Sequence, residues 1–230
     1  MAPKPQTFSS IIGDGVEAPP NPEIPQPPMP KETLEEKYAY VDPNHEVPTE
    51  ALHNALAYYE AKLQLDAIDN KNYMSVIDMS QRSNKRRYYL IDMISGEVER
   101  LLVAHGQGSD SNNDGYATQF SNQDGTHASS LGFYFTAETY SGNNGYSMRL
   151  DGMNTTNSNA RSRAIVVHGA SYVSPDRDII GRSWGCPALE TSETKRVINL
   201  IRGGSILYVY HKDFPLLPSR VHCQSHCSHA

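Results

Sequence analysis

A histidine and a cysteine in the second half of the chain have the residue types that nucleophilic catalysis needs. His168 and Cys186 stand eighteen positions apart, and Gly185 directly precedes the cysteine. A nearby imidazole can take the proton of a thiol, and the thiolate is the nucleophile in cysteine chemistry. A connecting loop of this length can bring the two groups together. The spacing alone leaves two structural alternatives open, a small buried cysteine and a satisfied core histidine.

The residues around the pair indicate how it would be positioned. The β-branched run Ile165 to Val167 predicts a buried strand that ends at His168 and Gly169, and a polar loop follows it. Gly185 leaves the backbone free to bend and gives a substrate room beside the sulfur. Pro187 has no N–H, so donors for an oxyanion would come from Gly185, Cys186 or residues elsewhere.

The sequence around the pair resembles the catalytic motif of the L,D-transpeptidases, the YkuD family, in which His-Gly is followed by Ser/Thr-His-Gly-Cys. It is closest to a branch that reads H-G-A-x-Y-V-S and then G-R-S-W-G-C-P-A, found here at 168–174 and 181–188. Six further motifs resemble the same branch: V-A-H-G at 103–106, Y-A-T-x-F-S-N at 116–122, S-S-L-G-F-Y at 129–134, T-Y-x-G at 139–142, M-R-L-D-G at 148–152 and A-R-x-R at 160–163. Together the motifs cover about residues 51–210.

The resemblance implies a cysteine-dependent L,D-transpeptidase that acts on peptidoglycan tetrapeptide stems. Cys186 would be the nucleophile and His168 the general base, with the Gly169 carbonyl orienting the other imidazole nitrogen and backbone near Gly185 holding the oxyanion. A thioester would form at the diamino acid in stem position three, D-Ala would leave, and an amine of a neighbouring stem would complete the cross-link. The resemblance also implies inhibition by carbapenems, and we predict no cofactor and no metal.

Two positions depart from the commoner family pattern. Trp184 stands where most members have histidine, and Ala188 stands where many have asparagine or arginine. His168 must then act alone as the base. Trp184 either walls the pocket and stacks on substrate or belongs to the core.

Four further residues are candidates for substrate binding. Arg182 and Arg149 have the guanidinium fork that binds carboxylates by paired hydrogen bonds, so either would suit the carboxylates of a stem peptide. Ser183 and Tyr134 are expected to line the pocket.

Other functions remain open at this point. With water as the acceptor the same acyl-enzyme gives an L,D-carboxypeptidase, and with a protein lysine it attaches a protein to peptidoglycan. A non-catalytic module that binds the cell wall is the third possibility, motivated by Trp184 and Ala188, although His168 and Cys186 argue against it.

Composition divides the chain into three predicted parts: a proline-rich acidic leader at 1–48, a catalytic domain at 49–213 and a tail at 214–230. The leader holds eleven of the fifteen prolines and a charge of −5 out of the net −6. The nearly neutral remainder gives no electrostatic reason to expect nucleic acid or a membrane surface as partner. No apolar signal region follows Met1 and no segment is suited to span a membrane. Because the family works outside the cytoplasm, we expect a periplasmic or cell-wall location with a signal peptide already removed.

Hydrophobic periodicity predicts a mainly β catalytic domain, a sandwich or barrel with one N-terminal helix and one helix after the nucleophile loop. The family resemblance implies the same class, a YkuD-like β-sandwich or barrel. The helices are predicted at 49–67 and 192–202. Strands are predicted at 73–79, 87–94, 98–103, 131–136, 147–150, 163–168 and 205–211, and the polar segment 106–130 is predicted to be a long loop.

Two segments resemble metal sites. D-S-N-N-D-G at 110–115 matches the start of a calcium-binding loop, but the twelfth position is Ser121, where a bidentate glutamate is required. The tail carries H-C-Q-S-H-C-S-H at 222–229, which suits zinc or copper, a disulfide between Cys223 and Cys227, or a disordered end. A disulfide there would leave Cys186 as the unpaired cysteine.

Overall fold

A computed structural model describes residues 32–214 of the chain. Its helices are α1 (Leu34–Lys37), α2 (Thr49–Gln64) and α3 (Thr191–Ile201). Its strands are β1 (Tyr73–Asp78), β2 (Tyr88–Asp92), β3 (Val98–Leu101), β4 (Gly132–Gly142), β5 (Gly145–Gly152), β6 (Val166–Ala170), β7 (Ala188–Glu190) and β8 (Ile206–Tyr210). Within these residues no helix is long and apolar enough to cross a membrane.

All eight strands belong to one sheet in the order β3-β2-β1-β8-β4-β5-β6-β7. The pairs β1–β8 and β6–β7 are parallel, and the other neighbours are antiparallel. Val103, just beyond β3, forms a bridge with Leu189 in β7, so the two ends of the sheet meet. The sheet is therefore a nearly closed barrel, which confirms the predicted mainly β fold with α2 before it and α3 after the nucleophile loop.

The sheet is buried on both of its faces. In β8, Leu207 and Val209 pack in the cluster that includes Val197 of α3, whereas Ile206 and Tyr208 pack in the cluster that includes Leu56 of α2. Successive strand residues point to opposite faces, so a strand between two apolar layers must be apolar throughout. The uninterrupted apolar sequence of β8 meets that requirement and places it at the centre of the fold.

Several element limits differ from the sequence-based predictions. Helix α2 ends at Gln64 rather than at residue 67, and β4 and β5 form a longer hairpin than predicted. The outer part of that hairpin is polar and partly exposed, so it lacks the apolar signal of a buried strand. The sequence does not predict strand β7, because three residues are too few to show a period. The residues 163–165 precede β6 rather than belonging to it.

Part of the predicted leader packs against the domain. Thr33 caps α1, and its side chain and that of Glu36 each accept a hydrogen bond from the other's backbone N–H. Tyr38, Val41 and Val47 are buried in the cluster that contains the apolar face of α2. The leader residues 1–31 and the tail cysteines lie outside the described residues.

Candidate active site

His168 and Cys186 lie on the walls of one cleft of about 930 Å³. The parallel pairing of β6 with β7 brings them together, because it sets His168 opposite Ala188. Ala188 follows Cys186 by two residues, so this pairing also sets the nucleophile beside the start of β6. Strand pairing therefore closes the eighteen-residue connection and brings both residues to the wall of the same cleft.

The Cys186 thiol is held by the backbone that enters β6. The Val166 N–H donates to Sγ at 3.5 Å, and Sγ lies 3.7 Å from the Ala164 carbonyl oxygen. Burial raises the pKa of the Cys186 thiol above its ordinary value, although the Val166 N–H and the charge of Arg163 act in the opposite direction. The resting group is thus a thiol, and attack requires a base.

The His168 ring has the tautomer that a base needs. Its Nδ1 lies 3.0 Å from the Gly169 carbonyl oxygen, which can only accept, so Nδ1 carries the proton. The lone pair is then on Nε2. Burial lowers the pKa of His168, so the ring is neutral near pH 7. In the described part of the chain no hydrogen bond joins the imidazole to the Cys186 thiol.

Ser183 organises the turn that carries the cysteine. Its hydroxyl donates to the Cys186 carbonyl at 2.7 Å and accepts the Gly185 N–H at 3.3 Å. The Gly185 N–H is therefore already engaged and does not point freely into the cleft. The Cys186 N–H has no acceptor among residues 32–214, so of the two predicted oxyanion donors it is the one that this geometry leaves available.

Gly185 fits its position because it has no Cβ. Its φ is +108°, where other residues are strained, and a Cβ there would lie 2.7 Å from the Ala128 carbonyl oxygen. The backbone beside the sulfur therefore approaches the loop at 121–130 closely.

Two of the predicted substrate-binding residues lie on the cleft wall and are open to solvent. Trp184 is 68% exposed, which excludes the core alternative, and its indole stacks on the imidazole of His127. Arg182 is exposed and lines the same cleft. Ser183 also lines the cleft, but its hydroxyl is used within the turn.

Arg149 and Tyr134, the remaining two predicted substrate-binding residues, are not among the residues that line the cleft. Arg149 forms an ion pair with Glu138 at 3.2 Å and its guanidinium lies over the ring of Tyr140. Tyr134 is fully buried, and its hydroxyl contacts the Ser130 side chain and carbonyl. Tyrosine is found both in cores and on pocket walls, so its residue type alone does not reveal that Tyr134 is buried.

A buried ionic cluster lies beneath the nucleophile loop. Arg87 donates to Nδ1 of His105 at 2.8 Å, so His105 carries its proton on Nε2, which lies 3.4 Å from Oδ2 of Asp110. Burial and the neighbouring cation lower the pKa of His105 to about 3, so it is neutral. The Ser183 N–H donates to the His105 carbonyl at 3.3 Å, which ties the cluster to the loop.

The calcium-like sequence at 110–115 has a structural explanation. The Asp110 carboxylate accepts the backbone N–H groups of Asp114 and Gly115 at 3.0 and 2.9 Å, so it closes a turn. Among the described residues there is no group of three or more possible metal ligands.

Arg163 is a site residue that sequence reasoning missed. It lines the cleft, and its guanidinium donates to the carbonyls of Ser121 and Ala128 at 2.7 Å each. The A-R-x-R motif is the available signal, but the motif does not indicate which arginine faces the cysteine.

Comparison with known families gives one match over most of the chain. Residues 43–210 match the family described as L,D-transpeptidase catalytic domain (YkuD_2), which confirms the resemblance carried by the motifs. No curated protein matches the chain.

Similar solved structures are distant. An L,D-transpeptidase from Mycobacterium tuberculosis H37Rv is 15% identical with a TM-score of 0.41, over 60% of this chain and 57% of that one. Bd1075 of Bdellovibrio bacteriovorus is 15% identical with a TM-score of 0.38, over 64% and 49%. Pgp2 of Campylobacter jejuni, a K307A mutant described as a helical cell shape determining protein, is 11% identical with a TM-score of 0.38, over 72% and 57%. This chain covers less than two thirds of each of these structures.

Proposed function

The chain belongs to the L,D-transpeptidase catalytic domain family, and we propose that it is a cysteine-dependent L,D-transpeptidase of peptidoglycan. The proposed donor is a tetrapeptide stem, cleaved between the diamino acid in position three and the terminal D-Ala. The proposed acceptor is an amine on a neighbouring stem. The proposed location is the periplasm or the cell wall, where both substrates are found.

The first half-reaction forms the thioester. Nε2 of His168 takes the Cys186 proton as Sγ attacks the carbonyl carbon, and the carbonyl oxygen becomes an oxyanion that the Cys186 N–H can stabilise. The bond to D-Ala then breaks, and the imidazolium returns its proton to the departing amine. Loss of one oxyanion donor typically costs about 10²- to 10³-fold in rate, so the conformation of the Gly185 turn matters as much as the two side chains.

The second half-reaction releases the enzyme. An amine of the acceptor stem attacks the thioester carbonyl and passes a proton to His168. The carbon–sulfur bond breaks, a new amide joins the two stems, and the Cys186 thiol is restored when it recovers the proton.

The observation that carries this proposal is the arrangement of His168. Its Nδ1 is committed to the Gly169 carbonyl, and its ring shares the cleft with the Cys186 thiol. Burial raises the pKa of the thiol and lowers the pKa of the imidazole, so a neutral acid and a neutral base face the same space. That combination suits general-base activation during attack rather than a resting ion pair.

Incubation with defined muropeptides, followed by mass spectrometry, tests the proposal. Cross-linked dimers with loss of D-Ala are expected from the full chain, and Cys186→Ala should give none. Tripeptides alone would mean that water is the acceptor and that the enzyme is an L,D-carboxypeptidase. Unchanged muropeptide, with binding retained, would overturn the enzymatic proposal in favour of a wall-binding module.

A further inference from the structure

Arg163 connects the loop at 121–130 to the nucleophile. Nη1 donates to the Ser121 carbonyl and Nη2 donates to the Ala128 carbonyl, each at 2.7 Å. The Ala128 oxygen is the same atom that a Cβ at Gly185 would approach. One guanidinium therefore fixes the surface against which the Gly185 turn packs.

The charge of Arg163 is not neutralised by a carboxylate. Within residues 32–214 its guanidinium bonds only to backbone carbonyls and, at 3.5 Å, to the Ser130 hydroxyl. Arg161, two residues earlier, is paired with Glu138 and Asp151 instead. Because this half-buried cation is bonded only to neutral groups, no nearby negative charge cancels its electric field in the neighbouring cleft.

The guanidinium lies against the turn that carries the sulfur. Nη2 lies 3.2 Å from the position that a Cβ on Gly185 would occupy, and Gly185 is bonded directly to Cys186. The carbonyl of Ala164, the next residue after Arg163, contacts Sγ. The positive charge of Arg163 lowers the pKa of Cys186 and so offsets part of the effect of burial.

Other titratable and charged groups face the thiol from each side of the cleft. His168 is neutral and lies on the wall of the same cleft. Burial raises the pKa of Tyr172 to about 12, and burial also raises the pKa of Tyr134 to about 12, so both remain neutral. Arg182 is the second cation on the cleft wall, and its side chain is exposed, where solvent screens its charge.

We propose that Arg163 is a positioning residue for Cys186, which clamps the loop at 121–130 against the Gly185 turn and holds an uncompensated positive charge beside the sulfur that favours the thiolate formed during attack. This inference rests on the proposed function for its biological meaning. The chemistry of the thiol can be measured without any peptidoglycan substrate.

The test is the pH dependence of Cys186 alkylation by iodoacetamide in the full chain, with the adduct mapped by peptide mass spectrometry so that Cys223 and Cys227 do not contribute. For Arg163→Gln we expect the midpoint to rise by about one pH unit, the lower end of the effect of a nearby opposite charge. Arg163→Lys keeps the charge, so its midpoint should stay within about 0.3 unit of the wild type. Arg161→Gln removes the same charge two residues away and should leave the midpoint unchanged.

Each outcome decides the inference. An unchanged midpoint in Arg163→Gln, or an equal rise in Arg161→Gln, would overturn it. If Arg163→Gln does not fold, a full unit of rise in folded Arg163→Lys would overturn it as well, because the charge is still present. A chain that turns over no muropeptide but shows the predicted shifts would contradict the proposed function and leave the role of Arg163 intact.

Discussion

The indole of Trp184 lies parallel to the imidazole of His127, with 4.6 Å between ring centroids and 7° between planes. Nε2 of Gln107 donates to Nδ1 of His127 at 3.0 Å, so the ring beneath the indole is itself held. The exposed indole is thus a prepositioned flat surface two residues from the nucleophile. Aromatic surfaces of this kind bind apolar parts of a ligand.

Trp184→Ala should weaken substrate binding without weakening the fold. An exposed side chain contributes little to stability, so we expect a change in the free energy of unfolding of less than about 0.5 kcal/mol. The KM for the donor muropeptide should rise, because the cleft loses a wall. Ile94→Ala is the matched control, since Ile94 is 74% exposed and is not among the residues that line the cleft. Unchanged KM in Trp184→Ala would show that the indole does not contact the donor.

Cys186 should be the residue that a carbapenem acylates. It is a free thiol on the cleft wall, and the described residues contain no other free cysteine. Incubation with a carbapenem is expected to add one covalent mass, which peptide mapping should locate at Cys186. Persistence of the adduct in Cys186→Ala, or its location at Cys223 or Cys227, would contradict the assignment.

The pH profile of acylation should report His168. The reactive form is the neutral ring, and burial lowers the pKa of His168. The midpoint of the acid limb should therefore lie below the ordinary histidine pKa of about 6.5. His168→Gln keeps approximate shape but cannot take the proton, and we expect a loss of at least about 10²-fold.

Acylation of His168→Gln within a few-fold of wild type would require another base. The two histidines in or beside the polar loop are poor substitutes. His105 is buried and accepts a hydrogen bond from Arg87, and its pKa is lowered to about 3. The ring of His127 is covered on one side by Trp184.

Gly185→Ala should reduce acylation and stability together. The substitution adds the strain of positive φ and a contact with the Ala128 carbonyl oxygen at 2.7 Å. Gly203→Ala is the matched control, because Gly203 has φ +77° and a methyl group added there would have no atom within 4 Å. In both variants backbone strain should lower the free energy of unfolding by about 1 kcal/mol. Only Gly185→Ala should lose more stability than this and also be acylated slowly. If the two variants had equal effects on thermal unfolding and equal effects on acylation, the contact with Ala128 would be unimportant.

Removal of the tail should leave turnover intact if Phe214 is kept. The ring of Phe214 packs edge-on against Phe120 and His211, with centroids 5.4 and 5.2 Å away. A chain that ends at Phe214 retains this contact and loses both tail cysteines. Full muropeptide turnover is expected, and loss of turnover with an unchanged melting temperature would show that the tail takes part in the reaction.

Residue patterns were enough to identify the family, the mainly β class and His168 and Cys186 as the candidate pair. These depend on local information: motif residues in order, apolar runs long enough to define strands, and residue types with few alternative chemical uses. Most predicted strands are present because a strand buried on both faces, such as β8, must be continuously apolar.

The neighbours that act on the cysteine became apparent from the folded chain alone. The pairing of the three-residue strand β7 with β6 brings His168 and Cys186 to the same cleft. Three residues are too few to show a hydrophobic period, so the sequence does not predict this strand. The same limit applies to Arg163 and Arg149, which have the same chemistry in sequence but opposite surroundings in the fold, one beside the nucleophile and one paired with Glu138. The charge that reaches a thiol depends on distance, burial and the presence of a counter-ion, and all three are fixed by contacts between residues far apart in the chain.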